Sequence, residues 1–287
     1  MAASEPSILV QGAPLPHVGR RERAGRLLLL VAALPIAIYL LLPTLVVVPM
    51  ALTKGQMIQF PPEWISIHAF TDYFSDPQWI DSTITSFKVA VLATTIACIV
   101  GLLAAIGLHG KAFPGRSAVV GVILAPIVVP LVVLALADYL FFAKLQLAGD
   151  WVAIGFAHSL LVTPYVFITV QSSLVGLNPS LILAARSLGA RPLSVLRHVY
   201  WPVTKPGILA GAIFAFAVSF DEVVIALFLQ GPDATTLPVR MFTSIQYDLT
   251  PKIAAIASLL LGLAAIALAA QGALAFRGYA RRRLSAT

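Results

Sequence analysis

Charged side chains are the scarcest component of this sequence, 11% of its 287 residues against 59% hydrophobic. Soluble domains carry about 25% charged residues, so too few polar groups remain here to cover a water-facing surface. A soluble fold is excluded, and a mean hydropathy of +0.93 marks an integral membrane protein. Cysteine is almost missing: Cys98 alone excludes an intramolecular disulfide, and its place in an apolar run suits packing. The five histidines (His17, His68, His109, His158 and His198) show no metal-ligand spacing, and no Ser/His/Asp or Cys/His arrangement is present. Nor is there a Gly-x4-Gly-Lys-Ser/Thr loop to cradle a phosphate, so any ATP hydrolysis must belong to a partner. The net charge of +7 does not form a stripe. It flanks apolar runs, which points to a membrane rather than nucleic acid.

What is plentiful is long apolar sequence. A spanning helix needs about 20 such residues, and six segments qualify, at about 27–51, 84–108, 117–141, 151–174, 207–229 and 253–276. Pro35, Pro43 and Pro49 are candidate kink points in the first, while Pro126 and Pro130 in the third and Pro164 in the fourth either bend helices around a cavity or, at least as readily, simply pack. Residues 1–25 lack periodicity and read as a disordered tail, too long and polar for a cleaved signal. Residues 277–287 form a basic tail. Residues 52–83 hold Glu63, Asp72, Asp76 and Asp81 among six aromatic residues, which suits an interfacial, partly structured external loop.

Orientation follows from the basic residues. Fourteen of the 19 Lys and Arg lie in the N-tail, the 109–116 turn, the 175–206 segment and the C-tail; the other five are Lys54, Lys88, Lys144, Arg240 and Lys252. Both termini and segment 175–206 are therefore expected in the cytoplasm.

That segment is a polar island in an apolar chain. Pro179-Ser180 is expected to open a helix with Ser180 as cap, Ala184, Ala185 and Leu188 give a small-residue face, and Gly189 supplies a turn. Pro192 suits the first position of a second short helix, and Pro202 and Pro206 are expected to end the region before the fifth span. A topology-setting loop would explain the charges but not this punctuation.

The order Ala184-Ala185-x3-Gly189-x9-Val199-x-Trp201-Pro202 resembles the EAA loop of binding-protein-dependent ABC importer permeases, E-A-A-x3-G-x9-I-x-L-P. It stands between the fourth and fifth spans, as in that family. Ser219-Phe-Asp221-Glu222, Gly231-Pro232, Thr236-Leu237-Pro238-Val239 and Thr250-Pro251 are similar to the spermidine/putrescine-type branch, in its C-subunit form. The resemblance implies an all-α, six-helix permease of the type I importer architecture over 26–276. It implies pairing with a second permease, two cytoplasmic ATPases that bind ATP-Mg, and a periplasmic solute-binding protein. It also implies ATPase docking through Ala184, Ala185, Arg186, Leu188, Gly189, Ala190, Arg191 and Pro192. Leu183 stands where the family has Glu, and Trp201 replaces Leu, so docking is expected to rest on packing and on basic residues such as Arg186.

Acids within spans are costly, about 2.5–3.5 kcal/mol at a helix centre. Asp138 and Tyr139, with Asp221 or Glu222, are therefore expected to line a path for a cationic solute; adjacent helical positions diverge by about 100°, so only one of the last two faces it squarely. The alternative is that one acid pairs with the partner permease. His158 and Thr163 are weaker pathway candidates, since a satisfied histidine between helices is the commoner case. Polyamine uptake is the expected function. Phosphonate, opine, iron or thiamine uptake, and a proton-coupled secondary transporter, stand as alternatives.

Overall fold

The computed structural model describes residues 20–55, 57–62 and 64–284. Among them the chain is helical, apart from one isolated antiparallel bridge between Thr53 and Ile65. The order is α1 (Arg20–Ala51), α2 (His68–Ser75), α3 (Pro77–Leu108), α4 (Arg116–Val128), α5 (Leu131–Lys144), α6 (Trp151–Leu174), α7 (Pro179–Ser187), α8 (Pro192–Val195), a π-helical turn (Leu196–Tyr200), α9 (Trp201–Asp221), α10 (Val224–Leu229), α11 (Leu237–Tyr247) and α12 (Pro251–Leu284). Of the expected tails, residues 1–19 and 285–287, and Glu63 of the loop, lie outside the described residues; 20–25 and 277–284 belong to α1 and α12.

Four described helices are long and apolar enough to cross a membrane, and a bent pair, α4 with α5, makes a fifth. The described apolar stretch of α12 is Pro251–Ala267, shorter than a span. The core is the mutual packing of α3, α6 and α9, with α6 at the centre. Lipid is as apolar as leucine, so helices associate there by close backbone approach at small residues. Gly101 of α3 lies against Val166 of α6, and a Cβ on Gly211 of α9 would come 2.9 Å from the Val166 Cα. Ala93, Ala97, Ala153, Ala157 and Ala215 are all buried along these seams.

Two expected spans are broken. The span expected at 117–141 bends by 103° between α4 and α5. Pro130 forces Val129 out of the helical region (φ −68°, ψ 132°) and has no N–H to continue the ladder. The span expected at 207–229 stops at Asp221, and Glu222 is extended before α10 resumes. The detached outer halves, α5 and α10, pack on each other. Gly149 and Gly231 tie off their ends in direct backbone contact, and the Gly149 N–H donates to the Leu229 carbonyl at 3.0 Å.

The junction into α9 differs from expectation. Pro202 and Pro206 do not end a segment; helix runs from Pro192 to Asp221. The N–H of Trp201 reaches back to the Leu196 carbonyl, a π-type register that absorbs the missing donor of Pro202. The expected external loop is partly structured. It contains α2, and α3 starts seven residues early because Asp76 caps it, accepting from the Gln78 N–H at 3.1 Å, with Pro77 in its first turn.

Candidate functional site

Three sites stand out. The first is the break between α9 and α10, where α10 begins with amides that have no helical partner. Glu222 turns back to satisfy them. Its Oε1 accepts from Val224 N at 2.7 Å and Ile225 N at 3.0 Å, and its Oε2 accepts from Ile225 N at 3.0 Å and Ala226 N at 3.2 Å. In an apolar medium each unsatisfied amide would cost kilocalories, so the carboxylate is what permits a break among these buried residues.

His158 of α6 locks the cap in place. It is fully buried, with Nδ1 3.0 Å from the Ser219 hydroxyl and Nε2 3.1 Å from Glu222 Oε2. The second contact is an electrostatic one rather than an aligned hydrogen bond, since Nε2 has no hydrogen-bond partner. Asp138 of α5 lies within Coulombic reach of both. It is 8% exposed, and its Oδ2 has no hydrogen-bond partner.

Asp138 and Tyr139, expected on one path with either Asp221 or Glu222, are separated in the structure. Asp138 and Glu222 share the buried cluster, whereas Tyr139 is exposed on the outer side of α5. Asp221 is exposed too, and it lines a separate cleft of about 740 Å³ with Thr44 of α1, Phe220, and Met241 and Phe242 of α11. Adjacent positions in sequence thus divide between two environments, one turned inward and one outward. Thr163 donates its hydroxyl to the Ser159 carbonyl at 2.6 Å and borders a cavity at the α4–α5 bend.

The second site is the end of the molecule where α3, α11 and α12 begin or meet. Trp79 is buried between two cations, Arg240 and Lys252, each 5.9 Å from its ring centroid. Arg240 also donates to Ser82 Oγ at 2.6 Å and Gln78 Oε1 at 3.0 Å, and Lys252 donates to Asp76 Oδ2 at 2.8 Å. The Lys252 ammonium beside Asp76 holds its carboxyl below the usual carboxylate range. In the sequence Arg240 and Lys252 stand only as charges. Their partners lie about 160 to 180 positions away, so no local signal announces them.

The third site, at the opposite end, is the island. The cap of α7 is Asn178, not Ser180: its side chain accepts from the Ser180 N–H at 2.9 Å, and Pro179 takes the first helical position. Gly189 has φ +80°, the left-handed turn that closes α7. Around it the Leu188 N–H donates to the Ala184 carbonyl and the Ala190 N–H to Ala185, at 3.1 and 3.0 Å. Pro192 opens α8. Ala184, Arg186, Leu188, Gly189, Arg191 and Pro192 are exposed, while Ala185 and Ala190 are half-buried. No residue of α7 is fully buried, and Leu188 and Leu193 stand 88% and 73% exposed. Behind this crest Val195 and Leu177 are buried, Ile182 packs on the core, and Tyr200 stands edge-on to His109 at the end of α3. The island is therefore rigidly footed and openly faced. Among the described residues no group of His, Cys, Asp and Glu is placed to hold a metal ion.

Bent spans around an α3–α6–α9 core, with a footed helix–turn–helix at one end, define a transport permease. Residues 97–278 match the family of binding-protein-dependent transport system inner membrane components, and the chain belongs to it. It is 34% identical over 236 residues to the putrescine transport system permease protein PotI of Escherichia coli, covering 79% of this chain and 83% of that one. It is 29% identical over 227 residues to the spermidine/putrescine transport system permease protein PotC of Haemophilus influenzae, covering 78% and 87%. In fold it is similar to a chain of a bacterial ABC transporter involved in import of the acidic polysaccharide alginate, at TM-score 0.68 and 16% identity over 90% of this chain and 99% of that one. It is also similar to that alginate transporter in complex with an alginate pentasaccharide-bound periplasmic protein, at TM-score 0.66, 16% identity, 88% and 94%.

Proposed function

We propose that this chain is the permease subunit of an ATP-driven importer of polyamines or a related small cation in the bacterial inner membrane. The observation that carries the importer reading is the α7–turn–α8 island: an open apolar and basic crest on a foot that packs against the ends of α3 and α9. Such an element transmits a push. A cytoplasmic ATPase seated on Leu188, Gly189 and Leu193, with Arg186 and Arg191 beside them, would move the foot. Helix running unbroken from Pro192 to Asp221 would carry that motion to the break at Glu222.

On this reading the chain binds no nucleotide itself. Two partner ATPases hold ATP-Mg, a second permease completes the pore, and a periplasmic protein delivers the solute. Both termini and the island face the cytoplasm, in keeping with the Lys and Arg count. The substrate class rests on the putrescine and spermidine relatives and on acids set in otherwise apolar helices. Asp221, in its open cleft, is one acid we place on the solute path.

The test is reconstitution of the complete complex in vesicles with its ATPase and binding protein. Putrescine uptake should require ATP and fail in Gly189→Trp, which buries the crest under an indole, while that variant still assembles in the membrane. Uptake that survives ATP depletion but collapses with the proton gradient would overturn the importer reading. Normal uptake in Gly189→Trp would overturn the docking role. Asp221→Asn should lower uptake several-fold with assembly intact.

A further inference from the structure

We infer that the cavity at the α4–α5 bend is a binding site for an alkylammonium group, with Asp138 as its anionic partner. The inference deepens the transport reading above and rests on it for the source of the amine. The cavity measures about 580 Å³ and is bordered by Asp138, Ser159, Thr163, Phe141, Phe142 and Phe156.

The polar groups there have one thing in common, which is that they accept. Ser159 donates its hydroxyl proton to the Phe156 carbonyl at 2.6 Å, and Thr163 donates its own to the Ser159 carbonyl at 2.6 Å. Both oxygens keep only lone pairs for a ligand. Asp138 lines the same cavity and is more than nine-tenths buried, with its Oδ2 enclosed and without a hydrogen-bond partner. A carboxylate left so in an apolar span is costly. The nearby cationic candidate, His158, is already committed to Ser219 and Glu222. A ligand with several N–H donors and a positive charge satisfies all three acceptors. An anion meets only lone pairs, and a neutral apolar molecule leaves the carboxylate uncompensated.

The rest of the wall specifies what carries the charge. Phe141, Phe142 and Phe156 offer ring surfaces suited to an ammonium and its methylenes, and the other walls are aliphatic. An ammonium on an aliphatic chain fits; a guanidinium-free sugar or a phosphonate does not. Two sources supply that chemistry: a transported polyamine, or the headgroup of phosphatidylethanolamine beside the bend.

Dicyclohexylcarbodiimide labelling of the assembled complex, with the adduct located by mass spectrometry, tests this on the wild-type chain. In phosphatidylcholine nanodiscs, 1,4-diaminobutane or hexylammonium should protect Asp138 from modification, while 1,4-butanediol should not. Protection seen only when phosphatidylethanolamine is added supports the ammonium site and assigns its occupant to lipid. Equal labelling with and without every amine overturns the proposal. Because hexylammonium need not be carried, loss of putrescine uptake in the wild type would refute the transport reading without touching this one. As a second readout, Asp138→Asn should raise the KM for putrescine about tenfold, with Asp138→Glu recovering part of it. An unchanged KM in Asp138→Asn together with protection by amines places the site off the transport path and leaves the lipid as its occupant.

Discussion

At the scale of single residues, Glu222 shows how a charge in a membrane span becomes structural. Its carboxylate does the work of a missing helical turn for Val224, Ile225 and Ala226. Glu222→Leu removes the acceptors and strands those amides; it should lower the unfolding free energy of the purified permease by about 3 kcal/mol. Glu222→Gln, which keeps one acceptor oxygen, should lose less. Thermal unfolding followed by tryptophan fluorescence separates the two, and equal stability in all three proteins would contradict the capping role. Gly189 acts differently, because a Cβ there meets nothing within 4 Å inside the chain. Its φ of +80° still costs a non-glycine residue about 1 kcal/mol. Gly189→Ala should therefore lower the unfolding free energy by about 1 kcal/mol with no internal clash, measurable by the same thermal unfolding. The glycine was legible in the sequence as a turn residue. Glu222 was legible only as an expensive charge, because its three partners are its own backbone neighbours and a side chain reveals nothing about which way it turns.

At the scale of elements, the bend between α4 and α5 decides where the cavity lies. Pro126 and Pro130 both lie in one apolar run of sequence, yet only the second breaks the helix. Pro126 falls within α4, whereas Pro130 removes a donor and forces Val129 into the extended region. In a Cys98→Ser background, spin labels at Val119 and Leu140 should move apart in Pro130→Ala as the two helices straighten. An unchanged distance would show that packing of α5 on α10, rather than the proline, holds the 103° angle. The island behaves as its composition suggested in outline. Its cap moved from Ser180 to Asn178, since Pro179 takes the first helical position and the residue before it must be the cap. The π-helical turn ahead of Pro202 had no sequence signal other than the proline itself, and it converts an expected terminator into a continuous lever.

For the whole molecule, the Asp76–Lys252 pair with Trp79 and Arg240 clamps the start of α3 to α11 and α12. Lys252 lowers the Asp76 pKa in the folded chain, so the stabilisation is present above the unfolded carboxylate value and is lost as pH falls below it. Melting temperature should hold from neutral pH down to about 5 and decline below about 4, and Asp76→Asn should flatten that decline. A decline of equal steepness in the variant would remove Asp76 from the account. Composition by itself determined that this chain lives in a membrane. Lys and Arg placement set an expected orientation, and the Ala-Ala, Gly and Pro spacing marked the helix–turn–helix island, because each of these properties is local or additive along the chain. Only the tertiary structure decided that Asp221 faces a cleft while Glu222 faces His158. It alone showed that two spans are broken, that their outer halves pair, and that Asp138 keeps an oxygen without a partner. Those outcomes depend on which side chains meet across helices, and in an apolar chain nearly every face is hydrophobic enough to be buried. Periodicity therefore names no partner. The choice falls to a few small residues and a few polar atoms that must be satisfied.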